Sequence, residues 1–166
     1  MRSLGAVDEI STPRLRLRRF RPDDVHEFRR FAVSDDYRRY LSADHPDVEE
    51  FVENNLGERG DSLAFVIELD GVVIGSVFLG VDRAPPGGEL ACLLDPAHWQ
   101  RGFGREACRA LIEHAFTDRL VDRVWARADP DNAASIRGLE SLGMRPEHAN
   151  RIEGHGVVYT IDAPRT

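Results

Sequence analysis

No lysine occurs in this chain: all 22 of its basic residues are arginine. Schiff-base chemistry and covalent capture through a side-chain amine are therefore excluded. Cysteine is almost as scarce, since Cys92 and Cys108 are the only two and neither stands at metal-ligand spacing to another thiol or histidine. A disulfide framework and a zinc cluster have no support. The absence of any Gly-Lys-Ser/Thr loop and of any Gly-x-Ser-x-Gly elbow removes Walker-type nucleotide hydrolysis and the serine hydrolases. No apolar run approaches the roughly 18–20 residues of a membrane span, and the opening Met1-Arg-Ser-Leu-Gly-Ala6 has no signal-peptide apolar core. A cytoplasmic protein away from the membrane is expected. A formal charge of −7 argues against general nucleic-acid binding and favours cationic partners. With 42% hydrophobic and 31% charged residues, the 166-residue chain fits a single domain over 1–166 with an adequate core.

What the chain does contain is an anion cradle. Leu90 to Leu94 reads as an apolar strand, and Asp95-Pro-Ala-His-Trp-Gln-Arg-Gly-Phe-Gly-Arg-Glu-Ala107 then opens onto a helix. Gly102 and Gly104 admit a close backbone approach, and the amides of Arg101, Gly102, Gly104 and Arg105 lack carbonyl partners within a helix's first turn. The aligned peptide dipoles favour an anion there by about 0.3–1 kcal/mol at an exposed site. Arg101 and Arg105 add forked donors suited to phosphate, so a pyrophosphate is the expected ligand. Gly102-x-Gly104-x-x-Ala107, with Asp129 on a later strand, also fits a dinucleotide-binding fingerprint. Against an oxidoreductase stand the intervening Asp95 to Arg101 and the short chain left downstream.

The order of elements can be read along the chain. Leu15 and Leu17 alternate with Arg14, Arg16 and Arg18 as in a half-buried strand, and Pro22-Asp-Asp24 opens a helix bearing Val25, Phe28 and Phe31. Further short helices are expected over 35–40 and 47–59, then a hairpin of strands 62–69 and 72–79 turning at Asp70-Gly71. A Gly-rich loop fills 81–88, and a helix over 102–116, a strand over 123–128 and a helix over 132–142 closed by Gly143 follow. Strand-like sequence over 151–161, turning at Glu153-Gly-His-Gly156, ends the chain.

This order resembles the GNAT superfamily of N-acetyltransferases, and within it the RimJ/RimL-like ribosomal-protein N-terminal acetyltransferases. Three motifs carry the resemblance: Thr12-Pro-Arg-Leu-Arg-Leu-Arg-Arg-Phe20, the cradle at 95–107, and Asn132-Ala-Ala-Ser-Ile-Arg-Gly-Leu-Glu-Ser-Leu-Gly-Met144. It implies an α/β fold with a central, mainly antiparallel sheet flanked by helices, splayed to admit acetyl-CoA. By the same resemblance, Gln100, Arg101, Gly102, Phe103, Gly104 and Arg105 hold the pyrophosphate, while backbone amides at Leu93 and Leu94 bind the pantetheine and polarise the acetyl carbonyl. Asn132 binds the thiol end, although an Asn at that place also suits a helix cap. Where many relatives carry a tyrosine acid seven residues beyond the asparagine, this chain has Leu139, so Ser135 is the candidate acid as well as a cofactor contact. Glu89, at the start of the central strand, is the candidate base. Tyr159, on the last strand, is an alternative acid or a core residue.

The acceptor is expected to be a primary amine: a protein N-terminus, a polyamine or an aminoglycoside. Deprotonating an α-amine of pKa about 7.8 at pH 7 costs about 1 kcal/mol, against about 4.6 kcal/mol for a lysine at about 10.4. Acidic and aromatic residues at Asp35, Asp36, Tyr37, Tyr40, Asp44, His45, Asp47, Glu49 and Glu50 favour a cationic acceptor. The family is compatible with a homodimer. An acyl-CoA-binding or regulatory module without turnover is the alternative, motivated by Leu139. No metal is expected.

Overall fold

Val, Ile, Leu and Phe fill Ser62–Leu69 (β3) and Val72–Gly80 (β4), and Asp70 and Gly71 between them take φ of 50° and 82°. Two successive left-handed residues give the turn whose twist matches a two-stranded ribbon. The computed structural model describes residues 4, 7–39, 41, 44–57, 60–81, 86–147 and 156–165. The other strands are Glu9–Ser11 (β1), Arg16–Arg18 (β2), Gly88–Leu94 (β5), Arg123–Ala128 (β6), Arg145–Pro146 (β7) and Val157–Asp162 (β8). They form one eight-stranded sheet in the order β1-β2-β3-β4-β5-β6-β8-β7. Every neighbouring pair is antiparallel except β5 and β6, the mainly antiparallel sheet that the motif order implies.

Helices cover both faces. Asp24–Ala32 (α1), Asp35–Arg38 (α2) and Val48–Asn54 (α3) lie over one face, where Phe20, Phe28, Phe31, Tyr37 and Phe51 meet Val66, Val73 and Phe78. Phe103–Thr117 (α4) and Ala133–Ser141 (α5) cover the other, where Leu111, Ala107 and Ala115 are fully buried against Leu17, Phe65, Val77, Leu79 and Val124. The spacing of Phe103, Ala107, Leu111 and Ala115 is that of a single helical stripe. Among the described residues no helix is long and apolar enough to cross a membrane.

Several elements differ from the sequence reading. The Thr12 motif is a turn followed by a strand: the Thr12 amide donates to the Leu15 carbonyl at 2.9 Å, and β1 pairs back on β2. Arg18 lies on the same strand face as Arg16, and both reach Glu68, but unlike Arg16 it is buried, at 6% exposed. It binds both oxygens of buried Asp24 at 2.8 and 3.0 Å and also grips Glu68. These contacts hold its proton more firmly than an ordinary guanidinium's, the Asp24 hydrogen bonds doing most to raise it against the opposing effect of burial. α2 stops at Arg38, and α3 stops at Asn54 because the Asn55 amide turns to Glu53 and Val52 and Gly57 takes φ 75°. Tyr40, residues 82–85 and the turn at 153–155 lie outside the described residues.

Removing one partner of a buried ion pair leaves an uncompensated charge, at a cost of about 3–5 kcal/mol. Arg18→Met is expected to lower unfolding free energy by about that amount in urea titration, with Arg18→Lys losing less. A loss under about 1 kcal/mol for Arg18→Met overturns this account of the β2–α1–β3 junction.

Candidate active site

β5 and β6 run side by side only at their start, pairing Gly88 with Val124 and Glu89 with Trp125. Beyond Glu89 they part. On its other edge β5 keeps β4 as a partner from Gly80 opposite Glu89 to Gly75 opposite Leu94. Gly75 permits this: a Cβ there would lie 2.1 Å from the Leu93 carbonyl oxygen. Because β5 and β6 are parallel, α4 and α5 both begin at the open end of the parted pair. Ligands in such sheets bind outside the carboxyl ends of strands that diverge.

The turn into α4 has the expected form. Gln100 and Gly102 take φ of 62° and 77°, and the first helical bond runs from the Glu106 amide to the Gly102 carbonyl at 3.0 Å. The amides of Phe103, Gly104 and Arg105 precede that bond and meet no backbone carbonyl among the described residues. This is a nest of donors. Phe103 contributes only backbone here, since its ring is 6% exposed in the core. Gly104 serves a packing need too: a Cβ there would stand 2.9 Å from Leu94 Cδ1. The stretch before the cradle is a 3-10 turn at Pro96–His98, capped by Asp95, whose carboxylate accepts from the Ala97 amide at 3.0 Å and from Arg30 at 3.3 Å. The Trp99 indole donates to the Leu94 carbonyl at 3.1 Å.

At α5, Asn132 is the N-cap, its side-chain oxygen accepting from the Ser135 amide at 3.1 Å. Capping uses the oxygen and leaves the amide nitrogen to donate. Ser135 is half-buried in the first turn. Glu89 stands where β5 and β6 part, its carboxylate 28% exposed and 3.5 Å from Arg127. Leu90 belongs to the core under α4, whereas Leu93 packs with the aromatic cluster, so the row Glu89, Ala91, Leu93 faces α1 and α3. The free edge of β5 between Leu90 and Leu94 is thus bracketed by Glu89 at the apex and by the cradle and Asn132 at the mouth. The parted strands, the donor nest and the free Asn132 amide fit a long ligand with a central diphosphate.

Other candidates fall elsewhere. Tyr159 is 5% exposed in the core. Tyr37 is 7% exposed against Phe31, and burial pushes its hydroxyl above the ordinary range, so it is not an acceptor contact. Asp47 caps α3, Glu49 pairs with Arg29 and Asp36 with Arg39, which compensates part of the acidic surface. The contact of Cys92, together with burial, pushes the Cys108 thiol upward. Among the described residues no group of acidic, His or Cys side chains could hold a metal.

The sequence reading missed Arg14, Thr12 and Glu106 as parts of this site. Thr12 Oγ1 donates to Glu106 Oε1 at 2.6 Å, Arg14 Nε to Oε2 at 2.6 Å, and Arg14 Nη1 to the Arg101 carbonyl at 3.0 Å. All three residues stand inside the quoted motifs, but no spacing links positions 92 and 94 residues apart.

A family model described as "Acetyltransferase (GNAT) domain" matches residues 14–145. The chain belongs to the GNAT family and is an acetyl-CoA-dependent N-acetyltransferase. It is 27% identical over 150 residues to the uncharacterized N-acetyltransferase p20 of Bacillus licheniformis, covering 85% of this chain and 84% of p20. An acetyltransferase structure from Agrobacterium tumefaciens str. C58 superposes with TM-score 0.79 at 26% identity, with 95% of each chain covered. RimL, described as a ribosomal L7/L12 alpha-N-protein acetyltransferase in complex with coenzyme A, superposes with TM-score 0.74 at 17% identity, covering 93% of this chain and 97% of RimL.

Partial burial raises the Glu106 carboxyl, but the hydrogen bonds from Thr12 and from the Arg14 side chain and amide outweigh it and hold the group below the ordinary carboxylate range. Stability from a depressed carboxyl is fully present above its unfolded pKa and is lost as pH falls through the folded value. The stability difference between the native protein and Glu106→Gln is therefore expected to be constant near neutrality and to vanish on acidification below the ordinary range, read by urea unfolding across pH. A difference that persists unchanged in acid would show that Glu106 acts through something other than its charge.

Proposed function

We propose that this acetyltransferase acts on a protein N-terminal α-amine or a small cationic amine such as a polyamine or aminoglycoside. The observation that carries the reading is the parting of β5 from β6 between two helix N-termini, with Glu89 at the apex. When bound, acetyl-CoA supplies an activated acetyl thioester. In this reading Gln100, Arg101, Gly102, Phe103, Gly104 and Arg105 hold the diphosphate, chiefly through backbone amides. Leu93 and Leu94 lend backbone groups to the pantetheine arm and the acetyl carbonyl; losing one such donor costs other enzymes about 2.7–4 kcal/mol. The Asn132 amide orients the sulfur end. Glu89 accepts a proton from the incoming amine, directly or through water, and Ser135 supplies the proton that the sulfur takes up. A cytoplasmic site of action accompanies this reading, since the donor is an intracellular thioester.

Two considerations favour an α-amine. Three of the four described histidines are engaged elsewhere: His98 lies 3.5 Å from Asp95, His114 lies 3.6 Å from Asp118, and His45 packs on Phe51. With one carboxylate as base, an amine already near neutrality is the easier acceptor. RimL, itself an alpha-N-protein acetyltransferase, supports the same direction. Leu139 is 8% exposed in the core and offers no acid, which leaves that role to Ser135.

Thiol release from acetyl-CoA across N-terminal Ser, Ala and Met peptides, a lysine peptide, spermidine and an aminoglycoside tests the proposal. Turnover is expected with α-amine peptides or cationic amines, and Glu89→Gln is expected to lower kcat about 10²–10⁴-fold with little change in KM for acetyl-CoA. Activity on the lysine peptide alone overturns the acceptor assignment, and an unchanged kcat removes Glu89 as base. Cofactor binding without transfer to any amine returns the reading of a binding module.

A further inference from the structure

A carboxylate in the first turn of a helix that receives a diphosphate poses a problem. Glu106 stabilises the positive end of the empty helix, yet its charge opposes the anion that the same end binds. Arg14 meets that charge from the β1–β2 turn. Its Nε and backbone amide bind the two carboxylate oxygens at 2.6 and 2.9 Å, and its guanidinium lies 4.4 Å over the Phe103 ring. Its Nη1 takes the Arg101 carbonyl at 3.0 Å, removing an acceptor from the cradle. Its Nη2 lies against Gly102, 3.4 Å from where a Cβ would stand. Arg14, Gly102 and Glu106 line a cleft beside α4 that also carries Arg105 and Arg109.

We propose that Arg14 is a positioning residue for the cofactor's diphosphate: it cancels the Glu106 charge and pins the Arg101 carbonyl, so that the cradle presents donors alone. This rests on the reading of residues 100–105 as the diphosphate cradle. A brace that only holds shape and one that also cancels charge differ in a measurable way. If Glu106 harms binding once Arg14 is gone, neutralising Glu106 restores affinity. If Arg14 only props the loop, removing a second hydrogen-bond partner cannot help.

The experiment is calorimetric titration of the full chain with acetyl-CoA, which needs no knowledge of the acceptor. Arg14→Ala is expected to weaken binding about tenfold, and the Arg14→Ala/Glu106→Gln double variant to recover to within about threefold of the native value. Arg14→Lys, which keeps the charge but not the fork, is expected to fall between; it carries the comparison if Arg14→Ala does not fold by circular dichroism. A double variant as weak as Arg14→Ala, or an Arg14→Ala that binds like the native chain, overturns the proposal. Gly102→Val separates the two readings. If it weakens binding while Arg14→Ala does not, only the role of Arg14 falls; if neither weakens binding, the cradle reading falls with it.

Discussion

The absent Cβ at Gly75 sets the geometry on which the site depends. With the Leu93 carbonyl oxygen 2.1 Å from the place a Cβ would occupy, any side chain at 75 forces β4 and β5 apart or turns that carbonyl elsewhere. β5 can lie this close to β4 at Leu93 only because position 75 carries no side chain. A sheet edge inside a protein is ordinarily a cost, since its amides and carbonyls go unpaired. Here β5 leaves β6 after Glu89, and the edge so freed lies between two helix N-termini. The cleft is therefore a consequence of register: two paired residues, then divergence.

Much of this was legible in the sequence because local rules decide it. The β3–β4 turn follows from Asp70-Gly71, the α5 cap from Asn132, and the cradle from glycines placed just before a helical stripe. Arg18 was not legible. Alternation places it with Arg14 and Arg16 on a polar face, and only the tertiary meeting of Asp24 and Glu68 makes a buried guanidinium stable there. The division of Thr12–Phe20 into turn and strand was lost for a similar reason. Thr12 and Arg14 serve a helix that begins nearly ninety residues later, and periodicity carries no information about that distance. Glu89 was legible as a strand-end carboxylate but its Arg127 partner was not, because β5 and β6 are joined only through α4.

The acceptor side shows the same contrast between composition and placement. Counted along the chain, residues 35–50 are acidic and aromatic. In space, Tyr37 is part of a ring cluster with Phe31 and Phe28, and several carboxylates are occupied as caps or ion pairs. Compositional charge therefore overstates the field an approaching cation meets. What remains beside the apex is the row of Glu89, Ala91 and Leu93, of which Ala91 is exposed. Apart from the Glu89 carboxylate that row is apolar.

Exclusive use of arginine completes the pattern. A guanidinium offers five donors in a fixed fork and can satisfy two acceptors on different elements, where an ammonium offers a point charge. Arg18 joins α1 to β3, Arg30 joins α1 to the cap of the cradle turn, and Arg123 joins β8 to the segment after β7. Each bridges elements distant in sequence. Two of them hold parts that must not move if the β5–β6 divergence is to persist: the helical layer over the Glu89 face of the sheet and the turn that carries the donor nest. Local rules build the pieces of this site, while forked cations fix their distances.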